Sequence, residues 1–166
     1  MKIRFTSLFI ISIIILSCAT TPPTPPKTQL EIREFQTREY NTDDTKMVMK
    51  ALLNVLQDDG YIIKVANVDI GLISASKEIN VENKGQAFLL TLLAGHNARW
   101  KKNSEIDCSG NVTQMGKVIK VRVNFQIKTL DNKGGLIDVK PITDPLFYQK
   151  FFATVDKGIF IGKQKL

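Results

Sequence analysis

Few residues in this chain could perform catalytic chemistry. His96 is the only histidine, and only one cysteine, Cys108, lies outside the amino-terminal segment. A zinc site of His and Cys ligands or a Ser-His-Asp triad would depend on His96. The chain has no Gly-x-Ser-x-Gly motif and no glycine-rich phosphate loop after a predicted strand. We therefore predict that it is not an enzyme and that it has no metal-binding or cofactor-binding residues, with His96 in a loop.

Three other features could suggest a function, and each has a simpler interpretation. Asp58 and Asp59 are adjacent acids, but neighbours on a helix point about 100° apart, so we interpret them as solvated acids at a helix end. Trp100 could stack on a ligand, but we interpret it as a core or membrane contact. The Asn-Val-Thr sequon at Asn111 we attribute to chance.

Cys18 lies in a sequence with a defined chemistry. Lys2 and Arg4 precede an apolar run over residues 8–16, which is shorter than the roughly 20 residues of a membrane-spanning helix. An aliphatic, a variable and a small residue then lead into Cys18. This quartet resembles the lipobox of bacterial lipoproteins, although Ile15 stands where Leu is usual. The resemblance implies a signal peptide over residues 1–17, cleavage before Cys18, diacylglycerol on its sulfur and acylation of the new amino terminus.

Several acyl chains on one residue would anchor the protein to a membrane, because a single chain gives only marginal binding. Under the sorting rule of enterobacterial lipoproteins, Asp after the cysteine favours the inner membrane. Ala19 stands there, which implies the outer membrane. Loss of residues 1–17 removes Lys2 and Arg4, so the net charge of +7 falls to +5. We interpret this mild charge as favouring solubility, with attraction to anionic lipid or glycan as the alternative. Nucleic acid is not expected as a partner of an exported, tethered protein.

The segment after Cys18 predicts a spacer. Residues 19–28 read ATTPPTPPKT, a composition typical of an extended polyproline-like chain. At about 3.1 Å per residue it would hold the domain roughly 30 Å from the bilayer. We therefore divide the chain into a signal peptide (1–17), a lipidated tether (18–28) and a single domain (29–166). Once Cys18 carries lipid, Cys108 has no disulfide partner, and its apolar neighbours predict a buried strand residue.

Two helices follow from apolar periodicity. The first opens with residues 41–44, where Asn41 is the capping residue and the acids lie in the first turn, and it ends at Gly60. Its apolar stripe is Val48, Ala51, Leu52, Val55 and Leu56. The second begins with Asp144 as N-cap and Pro145 at the first position. Its apolar positions are Tyr148, Phe151, Phe152, Val155 and Ile159.

The strands follow from β-rich runs and alternation. We predict strands over residues 29–40, 61–65, 70–77, 104–114, 118–130 and 136–142. The second and third form a hairpin through residues 67–69, and residues 131–135 form the last turn. In the strand over 118–130, alternation places one apolar set on a core: Ile119, Val121, Val123, Phe125 and Ile127.

The predicted order of elements is β-α-β-β-(α)-β-β-β-α. Hairpins dominate it, so we predict an α+β fold: an antiparallel sheet with two main helices packed on one face. The apolar run over 87–93, within residues 85–100, leaves two interpretations open. It is either a buried helix or a helix lying on a lipid surface, with cations at its end.

Five segments resemble a family of small proteobacterial outer-membrane lipoproteins: QTREYNTDD, LNVLQDDGYIIK, GLISASKE, VRVNFQIKTLDNKG and ITDPLFYQKFF. The resemblance covers most of residues 33–160. It implies one lipidated domain and brings no catalytic residues. The order of elements is also similar to the helix-grip domains of an outer-membrane assembly accessory lipoprotein, which is an analogy of fold alone.

The polar side of the strand over 118–130 gives a candidate contact surface, formed by Lys120, Arg122 and Lys128. It is either a solvated face or a recognition surface for an envelope protein or an anionic glycan or lipid. We predict a lipid-anchored, non-enzymatic binding or scaffolding domain that faces the periplasm. The alternative is a carrier that holds an apolar ligand between sheet and helices.

Overall fold

The computed structural model describes residues 27–79, 104–130 and 135–164. Three helices and six strands occupy these ranges, and the predicted α+β class is confirmed. In chain order they are α1 (Gln29–Phe35), β1 (Thr37–Tyr40), α2 (Thr45–Asp58), β2 (Ile62–Asn67), β3 (Leu72–Ile79), β4 (Ser104–Met115), β5 (Val118–Leu130), β6 (Leu136–Pro141) and α3 (Pro145–Gln164).

Strand β5 organises the sheet because two strands share one of its edges. The order across the sheet is β2-β3-β4-β5, with antiparallel pairing throughout. The far edge of β5 pairs with β1 over residues 119–122 and with β6 over residues 126–130. Its 13 residues are long enough for both partners, and residues 123–125 lie in the gap between them.

Groups from other elements fill this gap. The N–H of Val123 donates to the carbonyl of Gln36 at 2.9 Å. The N–H of Phe125 donates to the hydroxyl of Tyr148 at 3.1 Å, and the carbonyl of Phe125 accepts from the N–H of Ile142 at 2.9 Å. Buried backbone groups need hydrogen-bond partners, so these contacts allow two short strands to share one edge without leaving β5 unpaired between them.

Helix α2 carries the predicted apolar stripe but starts later than predicted, because Asp44 rather than Asn41 is its N-cap and its first turn holds no acid. The carboxylate of Asp44 accepts from the N–H of Met47 at 2.8 Å, which caps the first turn. All five residues of the predicted stripe are buried, together with Met49. The helix ends before Gly60, whose φ of +83° is costly for a residue with a Cβ.

Helix α3 begins as predicted, since Asp144 accepts from the N–H of Leu146 at 3.0 Å. Its five predicted apolar positions are buried. Together with the stripe of α2 they cover the five apolar residues of β5, all of which are at most 3% exposed. The packing of two main helices on one face of the sheet is therefore confirmed.

The hairpin of β2 and β3 is also confirmed. The side chain of Asn67 accepts from the N–H of Asp69 at 3.0 Å and so turns the chain. Gly71 then approaches β4 closely: a Cβ at this position would lie 1.9 Å from the carbonyl oxygen of Val112. Only glycine permits this approach.

The single strand predicted over residues 29–40 is wrong in its first half. Residues 29–35 form helix α1, and only Thr37–Tyr40 form a strand. Thr28 and Glu31 make a capping box: the Thr28 hydroxyl accepts from the N–H of Glu31 at 3.3 Å, and the Glu31 carboxylate accepts from the N–H of Thr28 at 2.7 Å. This reciprocal pair starts a helix that has no buried residue of its own.

Some predictions concern residues outside the described ranges. They include the signal peptide, Cys18 and most of the tether, the apolar run over 87–93, His96, Trp100 and residues 131–134. Of the predicted tether the structure describes Lys27 and Thr28. The ammonium of Lys27 donates to the carbonyl of Thr143 at 2.9 Å, so this end of the segment lies against the domain.

Candidate binding face

The face of the sheet opposite α2 and α3 is the candidate binding face, called here the outer face. Antiparallel register places the even-numbered residues of β5 and the odd-numbered residues of β4 side by side on it. Most of its side chains are exposed or half-buried, whereas Ser76 is buried. Its polar members are Thr37, Glu39, Lys64, Asn67, Ser74, Ser76, Glu78, Glu105, Asp107, Ser109, Asn111, Thr113, Lys120, Arg122, Asn124, Gln126 and Lys128.

The three predicted contact residues do lie on this face, but the structure distinguishes between them. The ammonium of Lys120 lies 3.8 Å from the carboxylate of Glu39, and that of Lys128 contacts the carboxylate of Asp107. Within the described ranges no carboxylate forms an ion pair with Arg122. Two of the three cations are thus partly neutralised, and Arg122 is left as the cation available to a ligand.

A third lysine on this face is also paired. The ammonium of Lys64 donates to the carboxylate of Glu105 at 2.9 Å. A hydrogen bond from Ser76, followed by that from Lys64, lowers the pKa of Glu105. The same contact raises the pKa of Lys64. Such exposed pairs contribute little to stability, but they remove these lysines as free charges.

Arg122 borders a shallow depression of about 260 Å³ in the outer face. Register places Asn111 directly opposite Arg122, and Ser109 opposite Asn124. Leu72 and the backbone of Gly110 complete the lining. The depression therefore combines one guanidinium, two amides and one hydroxyl, a set rich in hydrogen-bond donors.

A hydrogen-bond chain connects this depression to the core. The Tyr148 hydroxyl donates to the carbonyl of Ile142 at 3.0 Å, and the side-chain nitrogen of Gln36 donates to Tyr148 at 3.1 Å. The same nitrogen donates to the side-chain oxygen of Asn124 at 3.2 Å. Burial raises the pKa of Tyr148, which keeps the hydroxyl protonated and able to donate. We call these four residues the Tyr148 chain.

A second depression, of about 510 Å³, lies where α1 borders the outer face. Its lining mixes both signs of charge, since Arg33 and Lys120 face Glu34 and Glu39 there. This mixture gives it no clear preference for an anionic or a cationic ligand.

Of the other predicted residues, Cys108, Asp58 and Asp59 lie apart from the depression and Asn111 lines it. Cys108 is buried on the core side of β4, as predicted, and burial raises its pKa to about 12, so the neutral thiol is a poor nucleophile. Asp58 ends α2 and Asp59 caps it; partial burial raises the pKa of Asp59. The carbonyl of Asp59 accepts from the ammonium of Lys77. Asn111, predicted to be a chance sequon, lies in β4 and lines the depression.

Sequence reasoning placed Arg122 on this face but left the other residues that line the depression out of the predicted contact surface. Asn124 was visible as a polar residue of the alternating strand, and that alternation is the only sequence signal for it. Gln36 and Tyr148 are 112 positions apart, and nothing in the local sequence of either indicates their contact.

Further properties of the described ranges concern membranes and metals. None of the helices in residues 27–79, 104–130 and 135–164 combines the length and apolar character needed to cross a bilayer. The same ranges contain no group of three or more His, Cys, Asp or Glu side chains placed to hold a metal ion.

No protein-family model matches the chain, and no curated protein sequence matches it.

Proposed function

We propose that the protein is a non-enzymatic binding or scaffolding domain of the bacterial envelope, held at the outer membrane by lipid on Cys18 and facing the periplasm. The observation that carries the binding function is the depression around Arg122. It lies on the outer face, and its cation has no carboxylate partner in the described ranges. The lipobox-like sequence before Cys18 supports the anchor, and the resemblance to outer-membrane lipoproteins supports its location.

The chemistry of the described residues favours binding over catalysis. The Cys108 thiol is 2% exposed and largely protonated, and the acids Glu39, Glu105 and Asp107 are engaged by lysines. A catalytic acid or base needs access to substrate and a pKa suited to proton transfer. The buried Cys108 thiol lacks that access, and the three carboxylates are held in ion pairs with lysines.

The packing between sheet and helices favours the outer face over an internal carrier site. The Phe125 ring lies 4.9–5.9 Å from four other rings, in edge-on arrangements that fill the centre of the core. Those rings belong to Tyr61, Phe147, Tyr148 and Phe151. An apolar ligand at this place would have to displace them.

Mass spectrometry of the mature protein tests the anchor. We expect an amino terminus at Cys18 with the added mass of a diacylglycerol and a further acyl chain. Cys18→Ala should give an uncleaved or soluble protein. An unmodified Cys18 in the wild-type mature chain would exclude the lipoprotein proposal.

Site-specific photocrosslinking in the producing cells tests the binding face. A photoreactive residue at Ser109 should give a defined protein adduct, and Arg122→Gln should abolish that adduct. The matched control carries the same residue at Thr154, which is exposed on α3 in the helix layer, and should give no such adduct. Equal adducts at both positions, or none at Ser109, would contradict a binding role for the outer face.

A further inference from the structure

We infer that the depression around Arg122 binds a carboxylate of an acidic peptide segment, with an adjacent apolar side chain of that segment packed on Leu72. This inference rests on the proposed function and names the partner chemistry of the same face. A guanidinium can donate two parallel hydrogen bonds to a carboxylate. Arg122 is exposed and forms no ion pair with an acid of the described ranges.

The Tyr148 chain fixes which end of the Asn124 amide faces the ligand. A carbonyl can only accept, so the Tyr148 hydroxyl must donate its single hydrogen to Ile142. Its oxygen is then left to accept from the amino group of Gln36. That group uses its second hydrogen on the Asn124 oxygen. The amino group of Asn124 has no acceptor among the described residues and can donate to a ligand, and this orientation is set from the core.

A shorter contact sets the opposite amide. The Asn111 oxygen lies 2.6 Å from the Thr113 hydroxyl, a separation typical of O–H···O rather than N–H···O hydrogen bonds. The amino group of Asn111 is thus also free. The amino group of Asn111 in β4 stands across from Arg122 in β5. The amino group of Asn124 lies two residues after Arg122 on β5. Residues directly across a strand pair have Cβ atoms about 5 Å apart and diagonal neighbours about 7–8 Å, a span that long side chains can bridge. We therefore place one small anion between Arg122 and the two amides.

The balance of charge on the outer face argues against adsorption to an anionic bilayer. The face carries as many acids as cations: Glu39, Glu78, Glu105 and Asp107 against Lys64, Lys120, Arg122 and Lys128. A bilayer surface responds to the summed charge of a patch, which is near zero here. A single carboxylate responds to local donors, which are concentrated at Arg122.

Apolar residues beside the depression favour a peptide over a free small anion. Leu72 of β3 pairs with Asn111 of β4 and is 39% exposed. Val65 and Ile62 continue this apolar border toward the β2 edge and are 44% and 70% exposed. A segment with an acidic residue next to a leucine would place its carboxylate at Arg122 and its apolar side chain on this border.

The test uses full-length, lipidated, ¹⁵N-labelled protein in dodecyl maltoside micelles, titrated with acetyl-Leu-Asp-Leu-amide. We expect shifts of the side-chain N–H signals of Arg122, Asn111 and Asn124. Arg122→Gln should weaken binding about tenfold to a hundredfold, as expected for loss of a charged hydrogen-bond donor. The matched control is Lys120→Gln, which removes the same charge two positions away on the same face and should change affinity less than twofold.

Three comparisons establish the chemistry of the ligand. The amide peptide acetyl-Leu-Asn-Leu-amide should bind at least tenfold more weakly, because it lacks the negative charge. Inorganic phosphate should compete poorly, and vesicles of phosphatidylglycerol and phosphatidylethanolamine should not adsorb the outer face. Asn111→Asp places a carboxylate in the depression and should abolish binding, which gives a second variant if Arg122→Gln lowers the thermal stability.

Several results would overturn the inference. They are equal affinity for the Asp and Asn peptides, equal loss in Lys120→Gln and Arg122→Gln, or larger shifts of the Arg122, Asn111 and Asn124 signals with phosphate or vesicles than with the peptide. If the peptide fails while Ser109 still crosslinks to a partner in cells, the ligand chemistry is wrong and the binding face stands. If both fail, the proposed function fails with it.

Discussion

Replacement of Tyr148 by phenylalanine removes one oxygen atom from the centre of the domain while the ring stays in place. That oxygen joins three segments of the chain. It donates to the carbonyl of Ile142 at 3.0 Å and accepts from the N–H of Phe125 and the side-chain nitrogen of Gln36, each at 3.1 Å. All four residues are at most 3% exposed. Water therefore has little access to replace the lost partner.

The expected cost follows from the groups left without a partner. Gln36 keeps its hydrogen bond to Asn124, but the N–H of Phe125 and the carbonyl of Ile142 each lose the Tyr148 hydroxyl. An unsatisfied buried polar group costs about 1–3 kcal/mol. We therefore expect Tyr148→Phe to lower the free energy of unfolding by about 2–5 kcal/mol, a large part of the 5–15 kcal/mol typical of a small domain.

Urea unfolding followed by circular dichroism measures this change, and amide exchange at Phe125 reports on the local hydrogen bond. The matched control is Tyr61→Phe. Its ring also packs on Phe125, with centroids 5.9 Å apart, but in the described ranges its hydroxyl has no hydrogen-bond partner. We expect this control to cost less than about 1 kcal/mol. Equal losses of unfolding free energy in the two variants would show that the hydrogen bonds of the Tyr148 hydroxyl do not stabilise the edge of β5.

Further predictions concern the core. Phe125→Ala should cost about 3–5 kcal/mol in urea unfolding because it leaves a large cavity among four rings; a cost below 1.5 kcal/mol would mean that the rings close over it. Leu52→Asp and Phe151→Asp should each unfold the domain by placing an unpaired charge on a buried stripe, and a wild-type thermal transition in either would contradict the helix orientation. Burial raises the pKa of Cys108 from an unfolded value near 8.5 to about 12. Between these values the folded state retains a proton that the unfolded state loses, so Cys108 should lower stability by about 1.4 kcal/mol per pH unit as pH rises. Cys108→Ala should reduce the fall of unfolding free energy between pH 9 and 11 by this amount per pH unit. An unchanged slope would refute the raised pKa of Cys108.

The parts of the fold predicted from sequence are those with long, uniform periodicity. Helix α2 and strand β5 each repeat one pattern over at least 13 residues, and packing on a single core makes that pattern visible. Helix α3 adds a Pro at its first position and an N-cap. In these elements local preference and burial agree, so the sequence alone indicates both the type of element and its buried side.

Helix α1 shows why the rest could not be predicted. It has seven residues and buries none of them, so no apolar period marks it, and Ile32 and Phe35 read equally well as strand residues. Its capping box at Thr28 and Glu31 is a local signal, but short helices are marginal on propensity alone. The isolation of Arg122 was equally hidden, because it depends on Glu39 and Asp107 pairing with other cations.

The core and the candidate site are two sides of one strand, and the Tyr148 chain joins them. Odd-numbered residues of β5 pack under the helices, while Arg122 and Asn124 face outward. A one-residue slip in register would exchange the two sets. The hydrogen bonds to residues 123–125 oppose such a slip, because the Tyr148 hydroxyl accepts from the N–H of Phe125 and the Gln36 carbonyl accepts from the N–H of Val123. The same Gln36 orients the Asn124 amide. The Asn124 donor is therefore oriented before a ligand arrives, which lowers the entropy lost on binding. Damage to the buried Tyr148 hydroxyl should accordingly weaken recognition at the outer face as well as stability.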